Sequence, residues 1–386
     1  MHDIDRRALL AGAGLAATLG GNALAQSVAQ GNAVSADAAP TGPEPGVRHR
    51  IRFAVIGLDH SHIYAMTDAL IRGGGMLVAV HAADPAQLVP FRKRYGEVKV
   101  ARSETEILED KSIQVVASAS VPDLRAPLGV RAMLAGKDFL SDKPGITSLE
   151  QLAEVRRTIA ETKRKFAIMY SERLEVRAAV HAGELVHAGA IGKIVQTVNL
   201  APHRMSSATR PQWFFDTKRY GGILTDIGSH QADQFLFYTG SKTAHVVASQ
   251  AGNVGSPQFP KFQDFGDMTL TGDGGTGYVR VDWFTPDGLP TWGDGRVFIL
   301  GTDGYIELRK YVDIAGRPGG NHLLIADKKG VRYVDCGQVP LPFGPQFVRD
   351  VVERSQVAQD QQQALLAAEL VLVAQQKATA PVMAKN

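Results

Sequence analysis

From Ile51 onward, short apolar runs alternate with stretches of helical periodicity. Ile51 to Ile56 is nearly continuous in apolar residues and ends in Gly57, as a strand buried on both faces does. Apolar positions then recur through Ile63, Met66, Leu70 and Ile71. That spacing predicts a helix, which Gly73-Gly74-Gly75 stops. Met76 to His81 reads as a second strand. Asp84-Pro85 opens another helix, with Asp84 as N-cap and Pro85 at its first position. Glu97 to Ala101 is strand-like, and Ser103 with Glu106 makes a capping box. Ile113 to Ser118 is apolar throughout its centre. Pro122 to Leu134 is helical and ends at Gly136. Asp138 to Ser141, the helical Ser148 to Thr162, and Lys165 to Tyr170 complete the alternation.

Strands that are apolar along their length and alternate with helices predict a parallel sheet covered on both faces. Residues 51–171 therefore read as an α/β, Rossmann-like doubly wound domain of the dinucleotide-binding type. The pattern then changes. Val176 to Ala188 is an amphipathic helix, and Lys193 to Leu200 alternates apolar with polar residues, as a one-sided strand does. After residue 240 the strand candidates are Ala244 to Ala251, Asp267 to Thr271, Thr276 to Phe284, Arg296 to Leu300, Gly304 to Arg309, His322 to Asp327 and Val331 to Cys336. Glycine-containing turns separate several of them. Helical segments at Pro345 to Arg354 and Gln361 to Gln376 end the chain. Residues 172–386 thus read as an α+β domain with a large, mostly antiparallel open sheet. Helices cover one face, and the other suits a homo-oligomer contact.

Composition narrows the function classes. The chain has 386 residues, enough for two well-buried cores, with 44% hydrophobic and 21% charged residues. A net charge of +3 without clustering gives no reason to expect nucleic acid as a partner. No apolar run in the mature chain is long enough for a membrane anchor. The single cysteine, Cys336, rules out an intrachain disulfide.

The N-terminus reads as an address. Arg6-Arg7 precedes a weakly apolar Ala/Gly-rich stretch to Leu24, and Ala23-Leu24-Ala25 is a small-x-small cleavage site. Residues 1–25 are expected to be a signal peptide of the twin-arginine type, which implies an exported, periplasmic protein. Residues 26–50, rich in Ala, Pro, Gly and Ser, are expected to be a disordered linker.

The candidate chemistry centres on Gly221-Gly222-Ile223-Leu224-Thr225-Asp226-Ile227-Gly228-Ser229-His230-Gln231-Ala232-Asp233. In one helix, Asp226 and His230 share a face. An imidazole beside a carboxylate can take a proton from a hydroxyl near neutral pH. The alternative is a buried helix in which His230 caps a turn and Asp226 pairs with a cation. A second signal is Asp142-Lys143-Pro144-Gly145 after the fifth strand, at the sheet edge where open α/β folds bind ligands. A lysine there can stabilise negative charge on oxygen. The turn after the first strand, Gly57-Leu58-Asp59-His60-Ser61-His62, keeps one glycine of the phosphate-binding fingerprint, and Asp59 would repel a phosphate. His60 and His62 have a spacing that could supply two metal ligands, or they line a polar cleft without a metal.

The order of these parts, with Gly-Gly-x-x-x-Asp-x-Gly-x-His-x-x-Asp between the two domains, resembles the Gfo/Idh/MocA oxidoreductase family, named for glucose–fructose oxidoreductase and inositol dehydrogenase. The resemblance runs from about Ile51 to the C-terminus. It implies an NAD(P)-dependent oxidoreductase acting on a sugar- or cyclitol-type hydroxyl carbon. His230 would be the base, Lys143 the residue that polarises the oxygen, and Asp226 the residue that holds the site. It implies cofactor contacts at Gly57, Asp59, His60, Ala82, Ser120, Pro122, Asp142 and Lys143, and substrate contacts at Arg173, His203 and Trp213. In an exported member the NAD or NADP would be tightly bound. Three cofactor positions depart from the family pattern. The first turn has lost its later glycines, the ribose-binding acid is replaced by Ala82, and Pro-Asn-x-x-His reads Pro122-Asp123-Leu124-Arg125-Ala126. Those departures leave two other expectations open. One is a non-redox carbohydrate lyase or hydrolase, possible with a metal at His60 and His62. The other is a carbohydrate-binding protein without turnover.

Overall fold

A computed structural model of the chain describes residues 39–381. The expected signal peptide and the first part of the expected linker lie outside the described residues. The first domain contains β1 (Ile51–Ile56), α1 (His62–Arg72), β2 (Gly75–His81), α2 (Leu88–Tyr95), β3 (Lys99–Val100), α3 (Glu104–Glu109), β4 (Val115–Ser118), α4 (Pro122–Leu134), β5 (Asp138–Asp142), α5 (Leu149–Thr162) and β6 (Phe166–Met169). All six strands pair in parallel, in the order β3-β2-β1-β4-β5-β6. This is the doubly wound sheet that the apolar runs predict. Every residue of β1 except Arg52 is buried, and β4, β5 and β6 are buried throughout. The strand order reverses between β1 and β4. Their C-terminal ends, with that of β5, therefore open a crevice into which Gly57, Ser120 and Lys143 lead.

Two short helices, α6 (Ser171–Leu174) and α7 (Arg177–His187), lead to β7 (Ile194–Pro202). Next come α8 (Thr217–Tyr220), α9 (Ile223–Asp226) and α10 (Gly228–Thr239). The remaining strands are β8 (Ala244–Gly252), β9 (Phe265–Gly272), β10 (Gly275–Asp282), β11 (Arg296–Gly301), β12 (Gly304–Arg309), β13 (His322–Asp327) and β14 (Gly330–Asp335). With β7 they make one sheet in the order β14-β13-β12-β11-β7-β10-β9-β8. Only β7 and β10 run parallel in it. Its inner face packs on α7, α10 and α12 (Gln361–Lys377), the helix that follows α11 (Phe343–Glu353). On the other face Val198, Leu200, Phe298, Leu300, Tyr305, Val331 and Tyr333 remain partly or fully accessible on neighbouring strands. No helix among the described residues is long and apolar enough to cross a membrane.

Three expectations need correction. The expected linker does not extend to Arg50, because Glu44 N–H donates to the Arg72 carbonyl at the end of α1 and the His49 carbonyl lies against Gly74. The last two helices, expected within the second domain, also cover the first. Gly344 of α11 packs backbone to backbone on Ala69 and Gly73 around α1. Tyr170 O–H at the end of β6 donates to the Ala364 carbonyl of α12 at 3.1 Å. Finally, the central helix is interrupted. Gly221 and Gly222 both sit at φ +89°, and a Cβ on Gly222 would come within 2.4 Å of the Gln375 side chain. After α9 the chain passes Ile227 before α10 begins, and every residue from Ile223 to Leu236 is buried. A helix enclosed on all sides carries polar groups inward, where they must find partners or serve the site.

Candidate active site

Lys143 lies one residue beyond β5, and its Nζ donates to Asp226 Oδ1 at the end of α9 across 3.0 Å. Both line one cleft with His230 from the first turn of α10. The cleft is also lined by His60, His62, Pro122, Arg125, Glu172 and His203, and by aromatic residues of the second domain. The structure thus brings Lys143 together with Asp226 and His230, which lie 83 or more residues further along the chain.

The partnership inside that triad differs from the expected one. Asp226 takes Lys143 as its partner, and the carboxylate that acts most on His230 is Glu172 of α6. Glu172 is 3% exposed and accepts from Lys310 Nζ at 2.7 Å and from Gln231 Nε2 at 3.0 Å. His203 Nε2 lies 3.9 Å away. Burial alone would raise the Glu172 carboxyl, but Lys310, His230 and His203 together hold it well below the usual range. Burial lowers His230 far below an ordinary imidazole. Glu172 opposes this, while Lys143, His62 and Lys310 add to it. His230 is thus neutral near pH 7, and its buried Nδ1 has no hydrogen-bond partner among the described residues. Glu172 and Lys310 escaped the sequence reading because they are 138 residues apart. The only local signal was a Glu-Arg pair directly after an apolar strand.

At the first turn, Asp142 gathers three side chains. His62 Nδ1 lies 2.8 Å from its Oδ1, His60 Nδ1 3.2 Å from its Oδ2, and Arg125 Nη2 3.0 Å from its Oδ2. Asp142 provides the third ligand-type group that sequence could not place beside His60 and His62. Arg125 already balances its charge, so a dication there would face a guanidinium. Arg125 also donates to the Ser120, Lys143 and Pro144 carbonyls, which makes it the strut between the ends of β4 and β5. Ser120 is buried beneath the turn. A Cβ on Gly57, at φ +84°, would come within 1.8 Å of Ser120 Oγ.

The opposite wall is aromatic. His203 packs against Trp283 and Trp292, with ring centroids 5.3 and 4.5 Å away. Trp213, Phe214 and Arg210 complete the wall. His203 and Trp213 therefore stand in the cleft wall, beside Trp283, Trp292 and Arg210, which the sequence did not single out. Arg173 does not reach the cleft. Its guanidinium is buried against Asp233, at 2.5 and 2.9 Å, and lies over the Phe237 ring. A buried arginine that finds a bidentate carboxylate inside the fold holds α6 to α10 and is not available to a ligand.

Comparison with known proteins agrees with this architecture. Residues 51–170 match the oxidoreductase family with NAD-binding Rossmann fold, and residues 179–307 match the GFO/IDH/MocA C-terminal domain. A crystal structure of a protein from Erwinia carotovora atroseptica SCRI1043, provisionally named an oxidoreductase, is 47% identical. The match covers 86% of this chain and all of that one, with a TM-score of 0.84. The chain belongs to the Gfo/Idh/MocA family. Among characterised proteins, D-xylose dehydrogenase of Paenarthrobacter nicotinovorans is 29% identical over 140 residues. That match spans 34% of this chain and only 36% of the dehydrogenase. Levoglucosan dehydrogenase, solved with NADH and levoglucosan, shares the fold at a TM-score of 0.70 and 18% identity, over 85% of this chain and 98% of that one.

The Gfo/Idh/MocA fold implies a nicotinamide dinucleotide, and the residues present can hold one. A groove lined by Tyr64, Gln87 and Leu58 to Ser61 meets the Lys143 cleft through His60, Arg210, Trp213 and Phe214. It passes the N-terminus of α1, the usual place for a diphosphate. His62, standing where a third glycine is usual, turns to Asp142 and does not line the groove. Asp59 accepts from Gln87 Nε2 at 3.1 Å, which holds its carboxylate toward the loop after β2. The pair therefore offers a carboxylate and an amide to ribose hydroxyls, on the side where Ala82 offers none.

Burial of the imidazoles has a measurable consequence. His203 is lowered to about 4, first by burial and then by Lys143, with Glu172 opposing. Its unfolded counterpart titrates near 6.5, so between those values the unfolded chain binds the extra proton and stability falls as pH falls. The stability of wild type relative to His203→Gln should drop by about 1 kcal/mol between about pH 7.5 and about pH 5.5. Chemical denaturation of both proteins at the two pH values measures this. A difference that stays constant contradicts a neutral buried His203.

Proposed function

We propose that this protein interconverts a CH–OH group and a carbonyl on a sugar, cyclitol or sugar derivative, using NAD or NADP held in the first-domain groove. The observation that carries this reading is the convergence of Lys143, Asp226 and His230 on one cleft at the sheet's C-terminal edge. When bound, the nicotinamide supplies the hydride acceptor. Asp226 fixes Lys143 so that its remaining N–H groups can meet the substrate oxygen and stabilise the negative charge that develops there. His230, neutral and with an unpaired Nδ1, takes the hydroxyl proton. Glu172 favours the imidazolium that results. The aromatic wall gives a sugar ring a flat apolar surface. The sugar substrates of D-xylose dehydrogenase and levoglucosan dehydrogenase support the substrate class.

The test is mass spectrometry of what the folded full chain carries, followed by turnover with NAD and NADP over a panel of sugars and cyclitols. Neither carrying nor binding either nucleotide, while turning over a sugar, would end the proposal. His230→Asn should lower kcat by about 10²- to 10⁴-fold with binding retained. An unchanged kcat would remove His230 from the proton transfer, and wild type that binds sugars but turns none over would point instead to a binding protein. The same proposal includes export through Arg6-Arg7 and cleavage after Ala25, a cofactor retained tightly for that reason, and a second copy covering the open sheet face around Phe298, Leu300 and Tyr333.

A further inference from the structure

The cations around the cleft are matched one by one with carboxylates, except for one. Arg125 pairs with Asp142 at 3.0 Å, Lys143 with Asp226 at 3.0 Å, and Lys310 with Glu172 at 2.7 Å. Arg210 has no such partner among the described residues. Its Nε donates to the Met205 carbonyl at 3.0 Å, and one Nη reaches the Arg204 carbonyl at 3.4 Å. The guanidinium lies over Phe214 and Trp283, 4.5 and 5.1 Å from the ring centroids. Burial lowers it to about 10, and the one carboxylate that opposes this is Asp226, inside the cleft and already held by Lys143. An arginine kept half-buried against aromatic rings with no counter-ion leaves a positive charge to be satisfied. Its two neutral hydrogen bonds are to backbone, so donors of its planar fork remain for an anion. The low-dielectric wall around it strengthens that attraction.

We infer that Arg210 anchors a carboxylate of the substrate, so that the cleft takes an acidic sugar of the uronic or aldonic type in preference to a neutral one. The inference rests on the reading of this cleft as the substrate site of a sugar oxidoreductase. Of the two rings under the guanidinium, Phe214 lines both cavities and Trp283 lines the cleft alone, which favours the substrate side. The ring or chain of the acid lies along Trp213, Trp283 and Trp292, and its reacting hydroxyl meets Lys143 and His230. Arg210 also borders the groove, so a cofactor phosphate is the other source of the same chemistry.

Calorimetry on the full chain separates the two sources, using glucose against glucuronate, galactose against galacturonate, gluconate, and NADH alone. In wild type each uronate should bind about ten- to a hundredfold tighter than its neutral partner, with gluconate in the uronates' range. Arg210→Gln should abolish that preference, weakening the acids about ten- to a hundredfold more than their neutral partners or NADH, while Arg210→Lys should retain part of it. Equal affinity for acid and neutral sugar in wild type overturns the inference without any variant, as does failure to bind either kind. Loss of NADH affinity in Arg210→Gln at an unchanged acid preference assigns the cation to a cofactor phosphate and also overturns it. Turnover of neutral sugars with no acid preference removes this inference and leaves the oxidoreductase reading standing. Tight acid binding without redox turnover does the reverse.

Discussion

Replacing Lys143 by methionine is expected to lower kcat/KM by about a thousandfold while nicotinamide binding is retained. The side chain is 6% exposed, and its ammonium points between Asp226 and the cleft. Its proposed work is to stabilise charge on the substrate oxygen during proton loss. Removing one preorganised donor of that kind typically costs two to three orders of magnitude. Methionine keeps the length and apolar packing of the stem, so the loss reports the charge. The substitution also leaves Asp226 unpaired, which by itself destabilises the site. The double variant Lys143→Met/Asp226→Asn removes that complication. It should recover thermal stability but not turnover. Arginine should not substitute, because a planar fork cannot occupy the place of a compact ammonium at the end of β5. Steady-state rates with whichever sugar turns over, beside NADH titrations, provide the measurement. A Lys143→Met protein within tenfold of wild-type kcat/KM would remove lysine from the chemistry.

Why Lys143 is legible in the sequence while its surroundings are not follows from the range of the forces involved. The strands β1 and β4 to β6 are buried on both faces, so their apolar runs report them directly. The end of such a strand is the ligand crevice in any open α/β sheet, which makes Asp142-Lys143-Pro144 conspicuous without knowledge of contacts. The one-sided strands of the second sheet announce themselves by alternation for the same local reason.

Partnership is not local. Asp226 and His230 look like neighbours at helical spacing, yet Lys143 claims the one and the field of Glu172 acts on the other. Arg173 looks available because it leaves the first domain toward the cleft, yet Asp233, 60 residues on, claims both sides of its guanidinium. Asp59 looks hostile to a phosphate until Gln87 is seen to hold its carboxylate aside. Each error has one origin. A charge buried in a fold is defined by its counter-ion, and pairings across 28 to 138 residues leave no periodic trace.

The Lys310–Glu172 pair should give the largest stability effect of any single substitution near the cleft. Both side chains are almost wholly enclosed, Lys310 at 2% and Glu172 at 3% exposure. Removing one partner of a buried pair strands the other charge, at a cost of about 3–5 kcal/mol. Lys310→Met is therefore expected to lower the melting temperature sharply, and Glu172→Gln/Lys310→Met to restore much of it. The pair also reaches His230 with opposite signs, since Lys310 lowers the imidazole and Glu172 raises it. Glu172→Gln should accordingly move the acidic limb of the kcat/KM profile to lower pH, because the imidazolium loses its carboxylate. Lys310→Met, assayed below its melting transition, should move that limb to higher pH. A purely structural pair would change stability in both variants and leave the limb where it was. Opposite displacements of that limb, measured on one substrate, would tie the second domain's lysine to the proton chemistry of the first turn of α10.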